Sequence, residues 1–273
     1  MAAEEVVEVT GLQTNSHFSS SADPAGLEPL TLLFRDEHIA VFGKPAGLLV
    51  HRSYIAAGET RFALQLARDL LGQRVYPVHR LDKPTSGLLL FALNPADAAR
   101  LTAAFTAGAM AKGYLAVVRG ITPAEGIIDY PLLEEQDRRD PYRQPGKEPQ
   151  SAVTVYRRLA TAELPFAVGR YPTSRYSLVA ASPQTGRRNQ IRRHFKHIFH
   201  PLIGDVDYGE GRHNRFFREE LSCRRLLLHA AELTFRHPAD GRQMMVTAPL
   251  DGLFKGVVER LGWLAAVPAS WLG

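Results

Sequence analysis

The chain has 273 residues, 45% of them hydrophobic, with 33 lysines and arginines against 28 acids and a formal net charge of +5. That hydrophobic share is ample for a packed core, which excludes a disordered or fibrous chain. Cys223, the single cysteine, leaves no intrachain disulfide and no C-x-x-C site. No apolar run approaches the roughly 20 residues that cross a bilayer, and the N-terminus MAAEEVVEVT is unlike a secretory signal, so a cytoplasmic protein is expected.

The charge is unevenly placed. Glu4, Glu5, Glu8, Asp23 and Glu28 precede Arg35, and no lysine or arginine does; setting them aside leaves 23 acids against 33 basic residues in the body of the chain. Such a surplus suits a polyanionic partner and also plain solubility. Residues 1–27 lack periodicity and read as a poorly ordered acidic tail, with residues 28–273 as one folded domain. Residues 30–51 predict two short strands joined by the turn Arg35-Asp36-Glu37-His38. A second turn follows at Lys44-Pro45-Ala46-Gly47, where Lys44 either approaches a polyanion or is a solvated turn lysine. After His51-Arg52-Ser53, residues 60–71 predict an amphipathic helix capped by Thr60, with Phe62, Leu66 and Leu70 on its apolar face.

Residues 78–93, VHRLDKPTSGLLLFAL, join a charged turn to an apolar run. The run at 87–93 is short and bounded by turn signals, which predicts a core strand covered on both faces. His79, Arg80, Asp82 and Lys83 then sit at its mouth, on a tight loop made by Pro84, Thr85, Ser86 and Gly87. Positive charge on Arg80 and Lys83 favours ionised Asp82, which suits a nucleophile or an electrostatic stabiliser better than a general acid. The bland alternative is a turn cap paired with Arg80.

Asn94-Pro95-Ala96-Asp97 is a strong helix start, and Leu101, Ala104, Phe105 and Gly108 give that helix a packing face. Residues 112–120 alternate as a strand. Residues 134–150 are polar and contain proline, as an exposed loop would; strands follow at 151–160 and 177–181, the second preceded by YPTSRY. Within TGRRNQIRRHFKHIFHPLIGD, residues 185–205, Ile191, Phe195 and Ile198 recur at helical spacing and predict a helix over 188–200, ended by Pro201. Arg188, Arg192 and Lys196 fall four apart on a neighbouring face, a stripe that can hold phosphates or simply be solvated. His194, His197 and His200 have ligand-like spacing, but the surrounding positive charge repels a cation and no carboxylate completes the set, so no metal is expected. Residues 251–261 predict a closing helix.

HRLDKPTSG resembles the signature of the pseudouridine synthases that modify ribosomal and transfer RNA without a guide RNA. KPAG at 44–47, KGYLA at 112–116, GRRNQIRRH at 186–194, PLIGDVDYG at 201–209 and LHAAELTFRHP at 228–238 are similar to further elements of that family. The resemblance implies an α+β fold, a single catalytic domain with a mixed, mostly antiparallel sheet flanked by helices and loops, isomerising uridine to pseudouridine without cofactor or metal. It makes Asp82 the catalytic aspartate, Tyr114 the aromatic against the target base, Arg192 the charge partner of Asp82, and Arg80 the residue expected to brace the stack vacated by a flipped base. His79, Lys83, Arg187, Arg188, Arg193 and Lys196 are expected to bind RNA, and EGRHNRFFREELSCRR, residues 210–225, to be a loop that orders on RNA. One departure stands out: Asn189 occupies the place of the family's usual histidine and cannot become charged. HRS at 51–53 and PTSRY at 172–176 are similar to the branch that acts on transfer RNA at position 65, so tRNA is the expected partner, bound by a monomer. Ribosomal RNA, another tRNA site, and a catalytically silent RNA-binding protein are the alternatives.

Overall fold

A computed structural model of the chain describes residues 6–9, 28–52, 59–134 and 148–273. In chain order its elements are β1 (Val6–Val9), β2 (Thr31–Arg35), β3 (Ile39–Lys44), α1 (Ala63–Leu71), β4 (Tyr76–Pro77), β5 (Ser86–Ala92), α2 (Pro95–Thr106), β6 (Ala111–Arg119), β7 (Glu125–Asp129), β8 (Val153–Leu164), β9 (Ser174–Pro183), α3 (Gln190–His197), α4 (Gly211–Glu220), β10 (Leu228–Arg236), β11 (Gln243–Thr247) and α5 (Gly252–Arg260). The strands form one mixed sheet in the order β2-β3-β5-β10-β6-β9-β8-β7, with β4 on β5, β11 on β10 and β1 on β11. Among the strands of the described residues, only the β5/β10 and β1/β11 pairs are parallel. This is the α+β domain that the sequence leads one to expect.

β5 is buried along its whole length. Leu88, Leu90 and Ala92 pack with Val41 of β3 and Leu101 of α2, while Leu89 and Phe91 point the other way, toward Ala63 and Ala67 of α1. Covered on both faces, the strand needs no polar alternation, which is why it reads as a continuous apolar run. Truncating Phe91 to alanine would cost about 3–5 kcal/mol. β6 alternates instead: Leu115 and Val117 face the core under α4 and α5, and Tyr114, Ala116 and Val118 face α3. A period of two thus turns Tyr114 toward α3.

Several expectations need correction. Val6–Val9, within the segment expected to be an unordered tail, pairs with Gln243–Val246 as a strand; its three valines supply the β-propensity, and residues 1–5 and 10–27 lie outside the described residues. α1 begins at Ala63 with an extended Phe62 as N-cap and no side-chain cap, so Thr60 does not cap it. α3 runs only from Gln190 to His197, because Asn189 (φ 56°) and Phe199 (φ 64°) are both left-handed and bracket the turns between them. Residues 210–225 are mostly the helix α4, not a loop: Phe216 and Phe217 enter the core beside Tyr176. Of the expected loop at 134–150, residues 135–147 lie outside the described residues.

Candidate active site

A single rung across the sheet brings the two main site strands together. Ala230 of β10 pairs with Gly87 of β5 on one side and with Tyr114 of β6 on the other. With strands spaced about 4.8 Å, the loop that ends at Gly87 therefore lies about 10 Å from Tyr114. Gly87 has φ 110°, and a Cβ there would fall 2.1 Å from the Ala230 carbonyl oxygen, so only glycine lets the loop enter the sheet at this point.

The loop itself is fastened from behind. The Thr85 N–H donates to the Asp82 carbonyl at 3.0 Å, and the Gly47 N–H donates to the Lys83 carbonyl at 2.8 Å. Lys44 is buried, and its Nζ donates to the carbonyls of Pro45 (2.9 Å), Leu48 (2.8 Å) and Lys83 (3.3 Å). Burial lowers its pKa to about 7, assisted by the Arg225 charge and opposed by Asp82; three carbonyl acceptors call for three N–H donors, which is the geometry of an ammonium. The lysine is therefore neither solvated nor available to a polyanion. It clamps the KPAG turn to the loop that carries Asp82.

Asp82 projects into a cleft of about 250 Å3 lined also by Arg80, Phe105, Lys112, Tyr114, Arg187, Arg188, Asn189 and Arg192. Burial raises the Asp82 pKa above the ordinary carboxylate value, against the opposing charges of Arg192, Arg80, Arg188 and Lys44. Burial also raises the pKa of the Tyr114 phenol, and the Asp82 charge adds to it, so the hydroxyl stays protonated at neutral pH. Arg192, 3% exposed, places Nη1 4.0 Å from Asp82 Oδ2. Its closer partners are elsewhere: Nε and Nη2 each donate at 2.7 Å to the fully buried Asp205 carboxylate, Nη2 also donates to Asp207 at 2.7 Å, and Nη1 donates to Asn189 Oδ1 at 2.8 Å. Burial opposes the Arg192 charge, but these bonds outweigh it and raise its pKa. Tyr208 lies under the guanidinium, 5.0 Å from ring centre to Cζ, and accepts a hydrogen bond from Asn189 Nδ2 at 3.1 Å.

Comparison with known proteins gives the family. An RNA pseudouridylate synthase model matches residues 38–197, a span that holds Asp82, Tyr114 and Arg192. The chain belongs to the RNA pseudouridylate synthase family. A protein named tRNA pseudouridine synthase C from Pectobacterium carotovorum subsp. carotovorum is 49% identical over 240 residues, 88% of this chain; the chain spans 64% of that relative's length. Proteins of the same name from Vibrio cholerae and Yersinia pestis are each 46% identical, with 86% and 88% of this chain covered and 96% and 93% of theirs. Among solved structures, human RNA pseudouridylate synthase domain containing 4 superposes with a TM-score of 0.64 at 25% identity, covering 85% of this chain and 93% of that one.

Within this family member, the residues singled out from the sequence divide into two groups. Asp82, Tyr114, Arg192, Arg80, Arg187 and Arg188 come together around the cleft, with Arg187 Nε also held by the Ser151 carbonyl at 3.1 Å. His79 lines the cleft as well, and Lys83, Arg193 and Lys196 do not. His79 is not a cationic RNA ligand: its Nε2 accepts the Leu90 N–H at 3.2 Å, its ring stacks on Phe105 at 5.1 Å, and burial pushes its pKa down to about 4. Lys83 turns away from Asp82 to pair with Glu59, so the positive charge acting on Asp82 comes from Arg192, Arg80 and Arg188, with Lys44 last. Arg193 donates to the Leu133 carbonyl at 2.8 Å, and Lys196 lies over Tyr208 at 5.6 Å; neither lines the cleft. The expected phosphate stripe on α3 breaks at Arg192, which is buried. His194 has both ring nitrogens engaged, with Thr154 Oγ1 and the Tyr130 carbonyl.

Asp205, Asp207 and Lys112 were missed in the sequence. The aspartates lie inside PLIGDVDYG, a string that resembles the family but assigns them no role; their D-x-D spacing gains meaning once Arg192 is known to be buried, since a buried guanidinium needs a carboxylate. Lys112 lines the cleft, with Nζ 5.0 Å from the Phe105 ring centre and 3.4 Å from the Thr185 carbonyl. PTSRY lies away from the cleft: Tyr176 is buried and its hydroxyl meets His213 Nδ1 of α4 at 2.9 Å.

Proposed function

We propose that this chain converts uridine to pseudouridine in transfer RNA, at the stem uridine of position 65. The observation that carries the proposal is the convergence of Asp82, Tyr114 and Arg192 from three separate elements on one cation-lined cleft. The N1–C1′ glycosidic bond breaks, the uracil turns, C5 bonds to C1′, C5 gives up its proton and N1 takes one up, so the product is an isomer and nothing else is consumed. Asp82 serves this as nucleophile toward the sugar or the ring, or as the base that deprotonates the sugar. Arg192 balances its charge from 4.0 Å, while the bonds to Asp205 keep the guanidinium from collapsing onto Asp82. Tyr114, kept protonated, stacks on the uracil and donates a hydrogen bond; to take the C5 proton it would have to hand on its own.

A uridine in a stem must leave the helix to reach Asp82, at a cost of about a few kcal/mol in unstacking. Arg80, exposed at the cleft mouth, is placed to brace the gap it leaves. Relatives 44–49% identical and named tRNA pseudouridine synthase C support tRNA over ribosomal RNA. The choice of position 65 rests on the HRS and PTSRY strings. Transcribed tRNA carrying that uridine should be modified by the purified protein; conversion of a ribosomal RNA fragment with no reaction on the tRNA would overturn the substrate while leaving the chemistry.

A further inference from the structure

α4 does something that a loop could not: its packed inner face fixes the backbone from which three arginines project. Phe216 and Phe217 are buried, and His213 is hydrogen-bonded to Tyr176, which fixes the rotation of the helix about its axis. Arg212, Arg215 and Arg218, three residues apart, are left on the solvent side, all exposed. Glu219 and Glu220 follow on the same helix, and Glu210 just before it pairs with Arg119 and approaches His213 at 3.5 Å. Among the described residues, no carboxylate forms an ion pair with any of the three arginines.

The helix is also tied to the active site. Asn214 Oδ1 accepts the Gly204 N–H at 2.8 Å, and its Nδ2 donates to the Asp205 carbonyl at 2.7 Å; Asp205 is the residue that grips Arg192. A charged row at a fixed offset from Asp82 is what a ruler on a rigid ligand needs. We propose that the outer face of α4 is a second RNA contact, binding the phosphate backbone of a duplex arm beyond the one that enters the cleft. Guanidinium forks match phosphate oxygens, and the aromatics of α4 face inward, so the face lacks the stacking platform that single strands require. Contact of this kind carries no base sequence and fixes register on a folded RNA. The inference rests on the proposed RNA substrate.

The test is the double variant Arg215→Gln/Arg218→Gln. Affinity for whole tRNA, measured across a salt series, should fall about tenfold or more near 0.1 M salt, and the slope of log K against log salt should shrink by about 2, one for each lost duplex phosphate contact. The single-turnover rate at saturating tRNA should not change, and a minimal hairpin holding only the target uridine should bind both proteins equally. Arg215→Lys/Arg218→Lys should recover most of the affinity. Unchanged tRNA affinity and slope, an equal loss on the minimal hairpin, or a lowered saturating rate with unchanged affinity would each overturn the proposal. Should neither protein isomerise any RNA, the proposed function fails, and the binding arms still decide the role of the surface.

Discussion

Replacing Asp205 with asparagine removes one charge from a site that has no solvent to replace it. The carboxylate accepts four N–H groups: Arg192 Nε and Nη2 at 2.7 Å each, and the backbone N–H groups of Asp207 and Tyr208 at 2.9 Å. With the amide oxygen in the Oδ1 place, three of these survive and the NH2 group opposes Arg192 Nε. Breaking a buried ion pair costs about 3–5 kcal/mol, and Asp207, still 2.7 Å from Nη2, sets the loss near the lower end. For a chain of this size about 3 kcal/mol corresponds to a fall in Tm of roughly 6–12 °C. Arg192 is then free to close the 4.0 Å gap to Asp82, and misplacement of that order costs about 10²-fold in rate. Circular dichroism melts and tritium release from C5-labelled tRNA under single-turnover conditions read the two effects. A Tm within about 1 °C of the parent, with an unchanged rate, would refute the dependence of Arg192 on Asp205.

Other consequences can be checked in the same assays. Because burial raises the Asp82 pKa, the ionised form is lost at a higher pH than for a surface carboxylate as the solution is acidified; the acid limb of the single-turnover rate should lie above the ordinary range, and Arg192→Met should move it higher still. A limb at the ordinary value in both proteins would contradict this. Lys44→Met leaves the Pro45, Leu48 and Lys83 carbonyls without their donor and should lower the rate with little change in tRNA affinity; a pure affinity loss would mean that Lys44 meets RNA after all. Arg188→Gln should weaken binding and reduce the salt slope by about 1, whereas Lys83→Gln, which only loses Glu59, should leave the slope as it was.

The sequence made visible what depends on local pattern. The core strand at 87–93, the Asn94 cap, confirmed by its bond from the Asp97 N–H at 2.9 Å, and the closing helix capped by Asp251 all follow from short-range chemistry. The convergence on the cleft was legible only through motif strings, since the rung Gly87–Ala230–Tyr114 joins residues more than a hundred positions apart. What failed were judgements of burial for charged side chains. Lys44, His79 and Arg192 look like surface cations in sequence; Lys44 is enclosed by the Pro45 and Leu48 carbonyls of its own turn and by the Lys83 carbonyl, His79 by the Phe105 ring, and Arg192 by carboxylates 13 and 15 residues further on. The stretch at 210–225 misled for a related reason: its arginines suggest a solvated loop, and nothing local reveals that Phe216 and Phe217 have Tyr176 to pack against.

The proposed isomerisation of tRNA stands or falls with the Asp82 carboxylate. Purified parent protein and Asp82→Asn should be compared on the same transcribed tRNA, with affinity measured directly and pseudouridine mapped after a single turnover. Equal binding, conversion at position 65 by the parent, and no pseudouridine from the variant are expected; product formed by Asp82→Asn at a rate near that of the parent would contradict a role for the carboxylate.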